Sequence, residues 1–210
     1  MPDARPSPLS GRRRQAARND ELILEAARDV FIADPQAPIS AVAQRAGVGI
    51  SALYTRYAGK EELLRRLCAD GLALFVKETE RALADTREPW TVFTSYMQRL
   101  VDADTSSLTR SLAGTFTPTR EMFELAERAD RLSNELFRAV KRVLRPGVEV
   151  HDVSLVFELV AAVKLPDATR TKQLRRRYLT VILDGLRAHE RGRLPGPGPS
   201  WEELSERWNP

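Results

Sequence analysis

The sequence is poor in the residues that build metal and disulfide sites. It has one cysteine, Cys68, and two histidines, His151 and His189, which lie far apart in the chain. A single thiol forms no internal disulfide, and this set argues against a Cys- or His-rich metal cluster. We therefore expect no metal, no cofactor and a reducing compartment.

Long apolar runs are also missing. No run approaches the roughly 20 residues that span a bilayer, and the N-terminal sequence MPDARPSPLSGRRRQ lacks the apolar core of a secretion signal. We expect a cytoplasmic protein with no membrane partner. The 42% hydrophobic and 30% charged residues of this 210-residue chain are typical of a globular protein with a core.

Signatures of catalysis are absent as well. The sequence contains no GxSxG-type elbow and no cluster of His or Cys. An enzyme, such as a helical hydrolase, is therefore disfavoured, and we predict no catalytic residues.

Both ends of the chain are rich in Pro, and the N-terminal end also carries a cluster of Arg. Arg12, Arg13 and Arg14 lie among three prolines and a glycine, which predicts a disordered basic arm over 1–16. Such an arm binds an anion, usually nucleic acid, or is a solvated tail, and its charge alone leaves both open. At the other end, 192–210 is predicted to be a Pro/Gly-rich tail with one helical turn at WEELSERW.

Between these ends, helical periodicity without alternating β-branched runs predicts an all-α protein. A first helix over 18–33, capped by Asn19 or Asp20, is followed by short helices over 39–46 and 50–57. Gly47 supplies the tight turn between the short helices. This order matches the helix-turn-helix plan and predicts a DNA-binding domain over 17–62.

The remainder, 63–191, is predicted to form a second helical domain. Its helices are expected at 60–84, 88–104, 106–113, 118–145, 151–164 and 171–190.

Two stretches within 22–64, LILEAARDVF and ISAVAQRAGVGISALYTRYAGKEELL, resemble the N-terminal domain of the TetR family of transcriptional regulators. RRRYLTVILDGLRA at 175–188 and RPGVEVHD at 145–152 are similar to the C-terminal part of some members. The resemblance implies a non-enzymatic, all-helical homodimer that binds a pseudo-palindromic DNA operator and acts as a repressor. It also implies a C-terminal domain for dimerisation and for a small-molecule effector that releases DNA.

The resemblance also implies which residues contact DNA. Tyr54 matches a family position that contacts phosphate. Independently of the family, Lys60 at the start of the long helix is placed to bind a phosphate together with free backbone N–H groups, and Ile50 and Ala52 are placed to meet thymine methyl groups. Arg56 has three open roles, which are guanine, phosphate or an ion pair within its own domain. The predicted DNA-binding set is Arg12, Arg13, Arg14, Ser40, Ile50, Ser51, Ala52, Tyr54, Thr55, Arg56 and Lys60. The pairs at 49–50, 51–52 and 55–56 depart from the common family pattern, so no operator sequence is carried over.

Two further sets belong to the C-terminal domain. Aromatic and Met side chains at helical spacing are by themselves more typical of a core. Together with the resemblance, they predict an effector pocket lined by Trp90, Phe93, Tyr96, Met97, Phe116, Met122, Phe123 and Phe157. The helix over 151–164 is apolar on nearly every side, so a partner subunit is expected to cover it. The predicted dimer interface is Val153, Val156, Val160, Tyr178, Leu179, Ile182 and Leu186.

One alternative keeps the same helical scaffold but a different function. The chain would then be a ligand- or protein-binding module that does not bind DNA, since Gly49, Ile50 and Ala52 lower the polar base-reading capacity of the second short helix.

Overall fold

The structure is a computed structural model that describes residues 8–104, 108, 112, 114–188, 192 and 194–205, with side chains from 18 to 203 within those ranges. These residues form helices and no strand, which confirms the all-α prediction. The chain divides into two compact units, Met1–Leu67 and Cys68–Pro210.

The first unit holds three helices and the start of a fourth. They are α1 (Pro8–Ala33), α2 (Ile39–Ala46), α3 (Ile50–Arg56) and α4 (Lys60–Leu83). The bounds of α2 agree with the prediction, because Pro38 precedes its first residue and Gly47 follows its last. Gly47 is left-handed, with a φ of 66°, and its N–H reaches the carbonyls of Ala43 and Gln44.

The start of α1 differs from the sequence prediction. The helix begins at Pro8, so part of the arm that we expected to be disordered is helical. Proline suits the first position of a helix, where its missing N–H costs nothing, and the Arg, Gln and Ala residues after it are good helix formers. Residues 1–7 lie outside the described part of the chain.

A compact core joins α1, α2 and α3. Ala27 and Phe31 of α1, Val42 of α2 and Leu53 of α3 are all fully buried. Because Leu53 is on the buried side of α3, the opposite side of this helix faces solvent.

Where the second unit is described continuously, it contains the rest of α4 and five further helices. They are α5 (Pro89–Ala103), α6 (Arg120–Val140), α7 (Val150–Ala161), α8 (Ala168–Leu186) and α9 (Trp201–Ser205). The predicted helix over 118–145 ends early, at Val140, and continues as a 3-10 turn over Lys141–Val143. Of the helix expected at 106–113, only Leu108 and Leu112 are described, and both are helical and buried.

A buried arginine ties α7 to α8. Arg175 is 5% exposed, and its guanidinium donates to the carbonyls of Ala161 and Val163, each at 2.9 Å. It also forms an ion pair with Asp104 at 2.7 Å. The cation therefore satisfies carbonyl groups that the end of α7 would leave unpaired.

The C-terminal tail folds back onto the second unit. His151 contacts the carbonyl of Pro199 through Nδ1 at 3.1 Å, and its ring lies 6.2 Å from that of Trp201. A Cβ at Gly198 would approach the Glu149 side chain to 2.9 Å, so glycine is needed there. Residues 192 and 194–200 are not helical, as predicted, and the predicted helical turn is α9. No described helix combines the length and apolar character of a membrane span.

Candidate nucleic-acid interface

The solvent-facing side of α3 carries five of the predicted DNA-binding residues. Tyr54 is 52% exposed and Ile50 is 39% exposed. Ser51, Ala52 and Thr55 are exposed as well. These side chains form a continuous surface of apolar and hydroxyl groups, which we call the α3 face.

Asp20 of α1 holds the end of α3. The Tyr57 hydroxyl donates to its Oδ1 at 2.8 Å, and the Arg56 guanidinium pairs with the same oxygen at 2.9 Å. Burial, and then the hydrogen bond to Asp20, raise the pKa of Tyr57, which keeps this phenol protonated. Of the three roles left open for Arg56, the structure has the ion pair within its own domain.

Other polar groups on or near the α3 face also have hydrogen-bond or ion-pair partners within the protein. The Thr55 hydroxyl donates to the carbonyl of Ser51 at 2.8 Å, one turn earlier. Arg45 of α2 pairs with Asp29 at 2.8 Å, but both side chains are more than half exposed. An ion pair in that setting contributes little to stability.

The start of α4 places a cation at the surface. Lys60 is the first residue of the helix, and its Nζ lies 5.3 Å from the centroid of the Phe31 ring. Glu62 accepts a hydrogen bond from the N–H of Ala58, which partly caps the helix. Ser40 is exposed near the start of α2. The side chains of Arg12, Arg13 and Arg14 lie outside the described part of the structure.

A cleft in the second unit is lined only by uncharged side chains. It holds about 330 Å³ when its opening to solvent is included. Phe75, Tyr96 and Phe157 pack edge to face along it, with ring centroids 6.3 Å apart in each pair. The complete lining is Phe75, Phe93, Tyr96, Ser133, Leu136, Phe137, Val140, Val150, Val153, Ser154 and Phe157.

The predicted pocket set agrees with this lining in part. Phe93, Tyr96 and Phe157 line the cleft. The remaining members, Trp90, Met97, Phe116, Met122 and Phe123, do not. Met97 is fully buried in the core, whereas Phe123 is 57% exposed. Sequence reasoning missed Phe75 of α4, the α6 residues and all α7 residues except Phe157, because they are distant in sequence from the aromatic cluster that suggested a pocket.

The predicted dimer set needs a larger correction. Val153, Val156, Val160, Leu179 and Leu186 are all buried within the second unit of a single chain. Tyr178 is 48% exposed and Ile182 is partly buried. The apolar side chains that the same two helices expose most are Leu159, at 64%, and Val181, at 61%. These two, with Tyr178, form what we call the α7–α8 face.

Reactive groups are scarce in the described structure. Burial raises the pKa of the Cys68 thiol to about 12. Among the described residues, no three His, Cys, Asp or Glu side chains gather in a way that could hold a metal ion.

Comparison with known proteins gives a match to the N-terminal part. The family model described as bacterial regulatory proteins, tetR family, matches residues 23–67. These residues include α2, α3 and the start of α4. A comparison with curated proteins found no match.

Solved structures of similar fold cover most of the chain. A TetR transcription regulatory protein from Mycobacterium vanbaalenii is 25% identical, with a TM-score of 0.53 over 84% of this chain and 99% of that one. LfrR from Mycobacterium smegmatis, a TetR-like regulator in complex with proflavine, is 19% identical, with a TM-score of 0.61 over 80% and 95%. PfmR from Thermus thermophilus is 22% identical, with a TM-score of 0.58 over 82% and 97%.

The shared acceptor on Asp20 leads to a stability prediction. Asp20→Ala leaves the buried Tyr57 hydroxyl without its acceptor, a loss of about 1–3 kcal/mol in the free energy of unfolding. Chemical denaturation followed by circular dichroism measures this change. The matched control is Asp29→Ala, which removes the exposed pair with Arg45. If both variants lose equal stability, Asp20 does not have this role.

Proposed function

Because the chain is a member of the TetR family of transcriptional regulators, we propose that it is a repressor that binds a pseudo-palindromic operator as a homodimer and is released by a small-molecule effector. The α3 face carries the DNA-binding part of this proposal. It is a solvent-exposed recognition surface on the second helix of a helix-turn-helix, which is the element that enters the major groove.

Phosphate contacts supply the affinity in this proposal. The exposed phenol of Tyr54 donates to a phosphate oxygen, and Lys60 provides a cation at the start of α4. Neither contact distinguishes one base from another. Both are therefore expected to support binding to all DNA sequences.

Dimerisation uses the α7–α8 face in place of the predicted buried residues. Leu155 and Leu159 of α7 and its C-cap residue Ala162 are spaced as i, i+4 and i+7, which places them on one side of the helix. Tyr178 and Val181 have the matching spacing on α8. A twofold axis through this face brings identical apolar surfaces together and pairs two copies of α3 with two half-sites.

The effector binds in the cleft of the second unit. The enclosed space of the cleft is only about 20 Å³, far below the volume of a small-molecule site, so the effector has to widen the cleft as it enters. The uncharged lining favours an uncharged, apolar or aromatic compound over an ion, because burying a charge there would leave it unpaired. LfrR, which shares the fold at 19% identity, is known with proflavine bound. The effector releases DNA only if it binds the DNA-incompetent state more tightly.

The first experiment is selection of duplexes from a random library by the purified protein at two salt concentrations. We expect an inverted repeat, with affinity that falls steeply as salt rises.

Tyr54→Phe and Lys60→Ala should weaken binding to all duplexes alike, by about 2- to 10-fold for one lost hydrogen bond. Lys60→Ala should also lower the slope of log affinity against log salt concentration by about 1.

Lys77→Ala is the matched control, because it removes an exposed Lys of α4 outside the first unit. Failure to recover any motif with folded protein would contradict the repressor proposal and favour the ligand- or protein-binding module.

Val181→Glu should separate the subunits. It places a charge on the α7–α8 face, where Val181 is 61% exposed, so sedimentation should give the mass of one chain instead of two. Affinity for the full inverted repeat should fall, whereas affinity for a single half-site should be unchanged. Thr180→Glu, on the neighbouring exposed side of α8, should remain dimeric. A dimeric Val181→Glu variant would place the interface elsewhere.

Filling the cleft should block effector binding. Ser154→Leu adds apolar volume to the lining, and we expect it to weaken binding of the uncharged dye Nile red at least several-fold. Fluorescence titration measures this affinity, and circular dichroism checks that the variant is folded. Ser95→Leu makes the same change on α5 outside the cleft and serves as control. Equal dye affinity in both variants would rule out the cleft as the binding site.

A further inference from the structure

The chemistry of the α3 face limits which bases it can read. Guanine is recognised chiefly by paired hydrogen bonds from Arg or Lys, and adenine by paired hydrogen bonds from Asn or Gln. The sequence of α3, ISALYTR, has Arg56 as its single residue of these types. The readout of guanine by this helix therefore depends on whether Arg56 is available.

In the structure, Arg56 forms an ion pair within its own domain. Its guanidinium lies 2.9 Å from Asp20, and the side chains of the two residues are 28% and 27% exposed. Asp20 in turn accepts the hydrogen bond of buried Tyr57. To reach a guanine, Arg56 would have to leave a partly buried carboxylate that also supports the core, which costs free energy before any base contact forms.

The hydroxyl group of Thr55 is limited as well. Thr55 uses its one hydroxyl hydrogen on the carbonyl of Ser51. That hydroxyl can still accept a hydrogen bond, but it has no proton left to donate to a base. The exposed aliphatic groups of the helix are Ile50, which is 39% exposed, and Ala52.

Ile50 and Ala52 are at the right end of the helix for base contact. They are the first and third residues of α3, and the N-terminal residues of a recognition helix are those that contact base edges in the major groove. The one apolar group that a base presents in the major groove is the C5 methyl of thymine.

We propose that α3 recognises thymine methyl groups through Ile50 and Ala52, and that it does not read guanine. Each half-site then carries A·T pairs beneath the start of α3, with thymines on the strand that faces these two residues. This inference rests on the proposed operator binding and names the base chemistry of that site.

The test uses the duplex recovered by the random-library selection. Replacing dT with dU removes only the methyl group, and replacing dG with 7-deaza-dG removes only the N7 acceptor. Loss of one buried methyl corresponds to about 4-fold in affinity, so the same dU change in both half-sites should weaken binding by about 16-fold. The 7-deaza duplexes should bind within about 2-fold of the unmodified duplex.

A variant connects the effect to Ile50. Ile50→Ala should weaken binding to the dT duplex but should have little further effect on the dU duplex, because the contact is already lost. Leu22→Ala is the matched control, since Leu22 is a similarly exposed aliphatic residue, at 41%, in α1 of the same unit. It should leave both affinities and their ratio unchanged.

The outcomes separate the two proposals. If the unmodified duplex is not bound, operator binding itself fails and this inference fails with it. If the unmodified duplex binds but dU substitution throughout the half-site has no effect, only the thymine inference is overturned. A loss of 4-fold or more with 7-deaza-dG would show that guanine is read, and that too would overturn it.

Discussion

The two helices of the helix-turn-helix are too short to be stable alone. α2 has eight residues and α3 has seven, whereas an isolated helix needs about 12–15 to be even marginally stable in water. Their helical form therefore depends on packing against α1, through the fully buried Val42 and Leu53. This constraint decides the function of the surface, because the side of α3 that packs inward leaves the opposite side for solvent.

Residues that begin and end helices explain why this part of the fold could be predicted from the sequence. Pro38 and Gly47 bracket α2, and the apolar residues Leu53 of α3 and Tyr57 just after it, both buried, are four residues apart. The start of α1 could not be placed in the same way. The prolines and arginines near residue 8 are compatible with both a disordered arm and a helix that begins with proline. Local composition therefore gave no reason to prefer the longer helix.

Periodicity was less informative where apolar residues surround a helix. α7 has them on almost every side, so the pattern does not reveal which side meets the chain's own core and which remains exposed. Val153, Val156 and Val160 proved to be buried, and Leu159 proved to be exposed. Most of the cleft lining was not predicted, for a related reason. Its lining comes from α4, α5, α6 and α7, and only tertiary packing brings these segments together.

Arg56 shows how a tertiary contact changes the role that its position in the sequence predicts. Arg is the residue best suited to bind guanine from a recognition helix. Only the position of Asp20, in a different helix, places the Arg56 guanidinium in an ion pair within its own domain. A methyl contact is weaker than a paired hydrogen bond, about 0.8 kcal/mol against about 1–3 kcal/mol. Selectivity built on methyl contacts therefore depends on their number. A twofold dimer doubles that number, so in this proposal the α7–α8 face contributes to operator choice although it touches no base.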